Sequence, residues 1–322
     1  MDYTSCPLYN LQSKKLLKHL LGINDNNLLK QSFVAGLISP YIDHSSKSRL
    51  IEPPKYNLKL IQRRIKKLLG KIIVPNNVFS GIKGRSYVEN AKHHIGENRR
   101  KVFKIDLTAF FPSISRDIVF QFFKNELMCS SDVAAILTNL TTVDIDKANT
   151  KNKDEIYSFL ESKNINCNNH LISGAPTSQI LSYLVNHKMF DEMQDLANKN
   201  NIVMTVYVDD VTFSSESNIS RRFKEQIYKT IKKYHYQISK RKVKTYTRAY
   251  PKLVTGVIID SQGKLRIKNS LGLKITKEHE YLRKHPNDNK SLQRLKGLLT
   301  AARQIDEDAF STIYRYAFRK NV

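Results

Sequence analysis

Apolar residues recur along this chain with two different periods, and the changes of period divide it. Residues 1–48 read as mostly helical and polar, with Leu16, Leu17, Leu20 and Leu21 on one face. Arg49-Leu50-Ile51-Glu52 reads as a short extended piece stopped by Pro53 and Pro54, because proline restricts the residue before it. A helix follows, since Leu58, Ile61, Ile65, Leu68 and Ile72 recur at helical spacing, with Arg63, Arg64, Lys66 and Lys67 largely on its other face. From about 100 to 256 the pattern alternates between strand and helix. Residues 102–107 read as a strand, and Leu181, Leu184, Val185, Met189, Met193 and Leu196 as one face of a single helix. Residues 204–208 and 211–214 read as two strands around a two-residue Asp209-Asp210 turn, and 252–260 as one more strand. Beyond about 261 the chain reads as helical. There Leu292, Leu295, Leu298 and Leu299 form one face, and Phe310, Tyr314 and Phe318 another. Strands joined by both hairpins and helices predict an α+β fold. Residues 141–169, rich in Asn, Asp and Lys, read as a surface insertion whose Asp144 and Asp146 are solvated.

Bulk properties narrow the partners. With 322 residues, 40% of them hydrophobic, the chain can bury a large core in two or three subdomains. Fifty-four Lys and Arg against 29 Asp and Glu leave a net charge of +25. Such an excess repels itself unless a polyanion neutralises it, and nucleic acid does so with release of counterions. No apolar run approaches the ~20 residues that cross a bilayer, and no basic helix has the apolar face that a membrane surface requires. Residues 1–10 lack the pattern of a secretory signal, so a cytoplasmic protein with no membrane partner is expected. Cys6, Cys129 and Cys167 stand far apart, which supports neither a disulfide framework nor a structural zinc site.

The candidate chemistry lies in carboxylates set within apolar strands. Tyr207-Val208-Asp209-Asp210 places two adjacent acids between β-branched segments, where they are costly without a neutralising charge. Tight hairpins prefer Asn-Gly or Asp-Gly, so a purely structural turn has little reason for this sequence. Asp106 ends another apolar strand, in Lys104-Ile105-Asp106-Leu107. If the two strands are neighbours, three carboxylates meet, and two hard divalent cations such as Mg²⁺ would relieve their repulsion. Such a pair of ions serves in-line phosphoryl displacement.

In this order the motifs resemble the palm of a reverse transcriptase. Arg49-Leu50-Ile51-Glu52-Pro53 with Leu58, Lys59 and Gln62 resembles the first fingers motif, and Asp106 to Phe111 the first catalytic block. Ile172-Ser173-Gly174-Ala175-Pro176 resembles the loop under template and nucleotide, and Tyr207 to Asp210 the catalytic hairpin. Asn90-Ala91-Lys92-His93-His94 fits the N-A-x-x-H signature of bacterial retron reverse transcriptases, and Val254-Thr255-Gly256 fits their V-T-G signature. The resemblance implies a right hand of fingers (49–105), palm (106–256) and helical thumb (257–322) behind the N-terminal region. It implies an RNA-directed DNA polymerase that copies part of its cognate structured noncoding RNA from a guanosine 2′-OH. The product is a branched RNA–DNA, the msDNA, and the complex usually works with an effector (toxin) protein in antiphage defence.

The same resemblance implies roles by position. Asp106, Asp209 and Asp210 would be catalytic and, with Leu107, hold two Mg²⁺ ions. Arg49, Phe111, Ser173, Gly174 and Lys242 would meet the dNTP, with Phe111 as the steric gate against ribonucleotides. Tyr207, Asn90, His94, Val254, Thr255 and Gly256 would serve primer, template or RNA. Ser173 departs from the family, which usually has Gln before Gly-Ala-Pro. The 141–169 segment is a candidate docking surface for the effector. Two other readings stand beside this one: an abortive-infection or group II intron type of reverse transcriptase, and an RNA-binding scaffold that holds a toxin inactive. The two retron signatures argue against the first, and the intact aspartates against the second as a sole role.

Overall fold

A computed structural model describes every residue except 46, 97–98 and 320–322, so the end of the expected thumb lies outside the described residues. The N-terminal part carries helices α1 (Lys14–Leu21) and α2 (Gln31–Ala35) and strand β1 (Tyr41–Asp43), with more loop than the sequence pattern suggests. Ser13 caps α1 by accepting from Leu16 N, and Gly22 ends it in the left-handed region. Leu17 and Leu21 are buried, whereas Leu16 is exposed. Strand β2 (Arg49–Ile51) pairs antiparallel with β1. Helix α3 (Tyr56–Leu69) buries Leu58, Ile61, Ile65 and Leu69, and its Arg63 and Lys67 face solvent as the spacing predicts.

After α4 (Tyr87–Lys92) comes the central strand β3 (Lys101–Asp106). Helices α5 (Arg116–Gln121) and α6 (Ser131–Thr141) follow, then strand β4 (Thr142–Asp144), helix α7 (Lys153–Glu161) and strand β5 (Asn169–Leu171). The 141–169 segment is therefore not a solvated insertion. Strand β4 pairs antiparallel with β5, and Val143, Ile145, Ile156 and Leu160 are buried in the main core. Asp144 is buried and paired with Lys147, while Asp146 accepts hydrogen bonds from Tyr157 and Asn168. Its apolar residues are spread among many polar ones, so neither period stands out.

The expected single helix over 181–196 is two helices, α8 (Ser178–Leu184) and α9 (His187–Lys199). Asn186 breaks it: its side-chain amide donates to Ser182 O, and its Oδ1 accepts from Tyr236. Strands β6 (Val203–Tyr207) and β7 (Asp210–Ser215) form the hairpin, helix α10 (Arg221–Lys233) follows, and β8 (Lys244–Tyr246) completes a four-stranded antiparallel sheet in the order β6-β7-β3-β8. Side chains alternate between its faces. Phe103, Ile105, Met204, Val206, Val211 and Phe213 form an apolar face. Phe223 of α10 meets Phe213 edge-on at 5.3 Å, and Tyr228 meets Phe103 at 6.1 Å. The opposite face carries Lys104, Asp106, Thr205, Tyr207, Asp210, Thr212 and Ser214, as the registers dictate.

The expected strand over 252–260 is a hairpin, β9 (Lys252–Val254) and β10 (Val257–Ile259), to which β11 (Leu265–Ile267) adds a third strand. Thr255 and Gly256 make the two-residue turn, both at positive φ (44° and 91°), the pattern of tight primed hairpins. Helices α11 (Asn269–Lys284), α12 (Asn289–Arg303) and α13 (Ser311–Arg319) close around a separate core of Ile275, Leu282, Leu295, Leu299, Ala302 and Ala317. No helix among the described residues is long and apolar enough to cross a membrane.

Candidate active site

The sheet register brings the carboxylates together. Asp106 at the end of β3 is the direct partner of Asp210 at the start of β7, and directly opposed residues hold their Cβ atoms about 4.5–5.5 Å apart on one face. Asp210 is thus the first strand residue rather than part of the turn. The turn is Val208-Asp209, closed by the Tyr207–Asp210 pair. Val208 adopts φ +58°, a conformation that costs a β-branched residue about 1–2 kcal/mol. The Asp209 carbonyl accepts from Leu107 N at 2.9 Å, so the hairpin tip is tied to the end of the strand that carries Asp106.

The electrostatics of this face are those of crowded acids. Asp209 is raised to about 6, first by burial and then by the negative charge of Asp106. Asp210 is raised by burial, against the opposing pull of Lys104. Lys104 donates to Asp210 Oδ2 at 2.7 Å, and Lys242 donates to Asp106 Oδ1. Among the described residues no three His, Cys, Asp or Glu side chains form a ready metal cluster. The donors nevertheless suit a hard divalent cation. They are carboxylate oxygens on one face, destabilised by burial and mutual repulsion, and already drawing cationic side chains to themselves.

Of the other expected contacts, Tyr207 lies on this face and Lys242 bonds to Asp106. Lys242 ends a short helical turn (Lys240–Lys242). Phe111 is partly buried, its ring offset from that of Phe110 at 6.5 Å. Phe110 packs edge-on against Phe190 and Tyr236, which makes it core. Gly174 is exposed at φ +113°, which only glycine tolerates readily. Ser173 is partly buried, and its N–H donates to Glu52 Oε2 at 2.6 Å. Arg49 is exposed on β2, opposite Asp43. Tyr207 is partly buried at the end of β6, and its phenol is raised by that burial.

The two signatures, 165 residues apart at their polar contact, meet in space. Asn90 Nδ2 donates to Thr255 Oγ1 at 3.1 Å, and Thr255 Oγ1 donates to the Tyr87 carbonyl at 2.9 Å. Val254 is buried in the small core beside Val88 and Ala91, and Gly256 completes the turn. His94 lies fully buried under the β6–β7 hairpin. Its Nδ1 is 2.8 Å from Ser214 Oγ and its Nε2 2.7 Å from Thr205 Oγ1. Burial holds this ring neutral, down to about 3. His93, by contrast, is exposed, its Nδ1 3.0 Å from Glu89 O and its ring edge-on to Phe79 at 4.8 Å.

Sequence reasoning assigned no role to Lys104, Glu52, His170, Thr205 or Ser214. Lys104 was within reach of the alternation rule, since it lies two residues before Asp106 and hence on the same face. The partners of the others come from distant segments, and no local pattern announces them.

Comparison with known proteins agrees with this geometry. Residues 39–282 match the family model for reverse transcriptase (RNA-dependent DNA polymerase). The chain is 31% identical over 191 residues to the Retron Se72 reverse transcriptase of Salmonella heidelberg (strain 579083-10), covering 58% of this chain and 43% of that one. It is 28% identical over 218 residues to the Retron Mx65 reverse transcriptase of Myxococcus xanthus, covering 66% and 48%. With the Retron Ec83 reverse transcriptase of Escherichia coli it shares 24% over 263 residues, covering 80% and 79%. The chain thus spans about half the length of the first two relatives. The paired aspartates, the strained hairpin tip and the glycine loop all lie inside the matched region, and the chain belongs to the reverse transcriptase (RNA-dependent DNA polymerase) family.

Proposed function

We propose that this chain is a retron reverse transcriptase, which adds dNTPs to a DNA strand templated by its own structured noncoding RNA. The observation that carries the reading is the register pair Asp106–Asp210 with Asp209 at the adjoining turn, inside the matched region. These three aspartates, with Leu107, would hold two Mg²⁺ ions. Bound there, the ions would lower the pKa of the attacking hydroxyl and stabilise charge on the transferred phosphate.

The rest falls to side chains of the protein. Lys242, with 46% of its side chain exposed, can swing from Asp106 to the triphosphate. Lys104 is mostly buried and stays beside Asp210, offsetting part of the negative charge of the site. The Phe111 ring excludes a ribose 2′-hydroxyl, and Gly174 lets the backbone approach the nucleotide. Tyr207 packs near the primer terminus, and Arg49 contacts the nucleotide from the fingers strand.

The helices at 269–319, which share a core of their own, would form the thumb. Lys274, Lys277, Lys290 and Arg294 on α11 and α12 would meet an RNA stem by shape and phosphate contact, because side chains cannot read the deep groove of A-form RNA. Priming from a guanosine 2′-OH, the branched msDNA product, a toxin effector and a role in antiphage defence are carried by the likeness to retron enzymes, as is action in the cytoplasm.

The test is to purify the chain from cells holding its native locus and analyse the bound nucleic acid. RNA joined to single-stranded DNA, and sensitive to debranching, is expected. The double variant Asp209→Asn, Asp210→Asn should retain the RNA and lose the DNA. DNA that persists in the double variant overturns the mechanism.

A further inference from the structure

Glu52 and His170 are both fully buried, and they face each other across 118 residues of sequence. The His170 Nδ1 lies 3.3 Å from the Cys167 carbonyl, which can only accept, so Nδ1 carries a hydrogen. Its Nε2 lies 2.9 Å from Glu52 Oε1. Ring and carboxyl thus supply each other's hydrogen-bond partner. This makes the burial tolerable.

The remaining bonds of Glu52 converge on one residue. Its Oε2 accepts the Ser173 N–H at 2.6 Å, and its own backbone N–H donates to the Ser173 carbonyl at 2.8 Å. Ser173 is thus held by Glu52 through both its N–H and its carbonyl. On the other side, Leu171 N donates to Ile114 O at 2.9 Å, which ties β5 to the segment just after Phe111. The end of the strand with Arg49, the segment that follows Phe111 and the loop with Gly174 all meet at this pair. An apolar pair of similar volume would fill the space at least as stably. A carboxylate and an imidazole supply directional bonds that an apolar pair lacks.

We propose that Glu52 and His170 are positioning residues for the incoming nucleotide. They hold the Ser173-Gly174 backbone at the height where a dNTP meets it, in a chain that has only the short Ser173 where relatives have a reaching amide. This rests on the polymerase reading above. Neither residue touches substrate; both act through the loop.

The experiment is primer extension by the full chain on poly(rA) primed with oligo(dT), with dTTP varied and thermal melting measured alongside. Glu52→Asp withdraws the carboxylate by one methylene and breaks its reach to Ser173. Glu52→Gln keeps the length: its carbonyl accepts from Ser173, and its amide donates to the Nε2 of a neutral His170. Glu52→Asp should raise the KM for dTTP about tenfold, the size expected for losing one charge-assisted hydrogen bond, with kcat held within about twofold. Glu52→Gln should restore KM to near the wild-type value. A Glu52→Asp protein that melts lower with KM unmoved overturns the proposal, because the pair then serves stability alone. Should Glu52→Asp not fold, His170→Gln carries the same test, since one amide cannot replace both ring nitrogens: a raised KM supports the proposal and an unmoved one overturns it. A wild-type chain that adds no dTMP defeats the polymerase reading itself. A wild-type chain that polymerises while the variants keep its KM defeats only the positioning role.

Discussion

Replacing His94 with glutamine should flatten the acid dependence of folding stability. His94 is fully buried between two hydroxyls, those of Thr205 and Ser214, and neither offers a counter-charge. Its pKa is held down to about 3, by burial first and then by nearby His93, Arg100 and Lys104. The ring keeps its ordinary value of about 6.5 in the unfolded chain. The folded value lies below the unfolded one, so the contribution of the neutral ring is complete above about 6.5. It is lost progressively as pH falls towards about 3. Between pH 7 and pH 5 the unfolded chain gains most of a proton that the folded chain refuses. The linkage integral over that range is about 2 kcal/mol of lost stability. Urea unfolding followed by circular dichroism at several pH values measures it. Comparing wild type with His94→Gln cancels the other titrating groups, so the two stability curves should converge by about 2 kcal/mol from pH 7 to pH 5. Curves that stay parallel would refute the reasoning and mean that His94 is solvated or charge-paired in the folded state.

Deleting residues 142–165, which a surface insertion would tolerate, should abolish soluble folding. It removes β4 and the buried Ile145, Ile156 and Leu160, and truncating even one such side chain costs about 2–5 kcal/mol; expression and melting of the deletion decide. Thr255→Val should lower stability by about 1–3 kcal/mol, since it strips Asn90 and the Tyr87 carbonyl of their shared partner, as a denaturant midpoint will show. Phe111→Ala should let the enzyme extend primers with ribonucleotides, read as rNTP incorporation on the same template; unchanged discrimination would remove Phe111 as the gate.

The order of motifs, the α+β class and the carboxylates at the strand ends were legible in the sequence because each depends on neighbours a few residues away. Alternation along 102–107 and 204–214 is enough to set Asp106 and Asp210 at the ends of half-buried strands. It cannot set the register, and a shift of one residue moved Asp210 out of the turn and left Val208 at positive φ. Hairpins were likewise hidden where a β-branched residue takes a turn position, as at Thr255. The 141–169 segment was misread because its few apolar residues are organised only by contact with other parts of the chain. What only the tertiary structure decided is what faces what. Lys104 and Lys242 stand on the aspartates, His94 under the β6–β7 hairpin, Asn90 on Thr255, and Glu52 with His170 under the Ser173 loop. Each of these pairs spans more than a hundred residues, and where both partners are buried, as with Glu52 and His170, burial makes the hydrogen bonds obligatory. The sequence by itself determined which residues must find a partner, because charge and polarity cannot be buried alone. The fold determined which partner each one found.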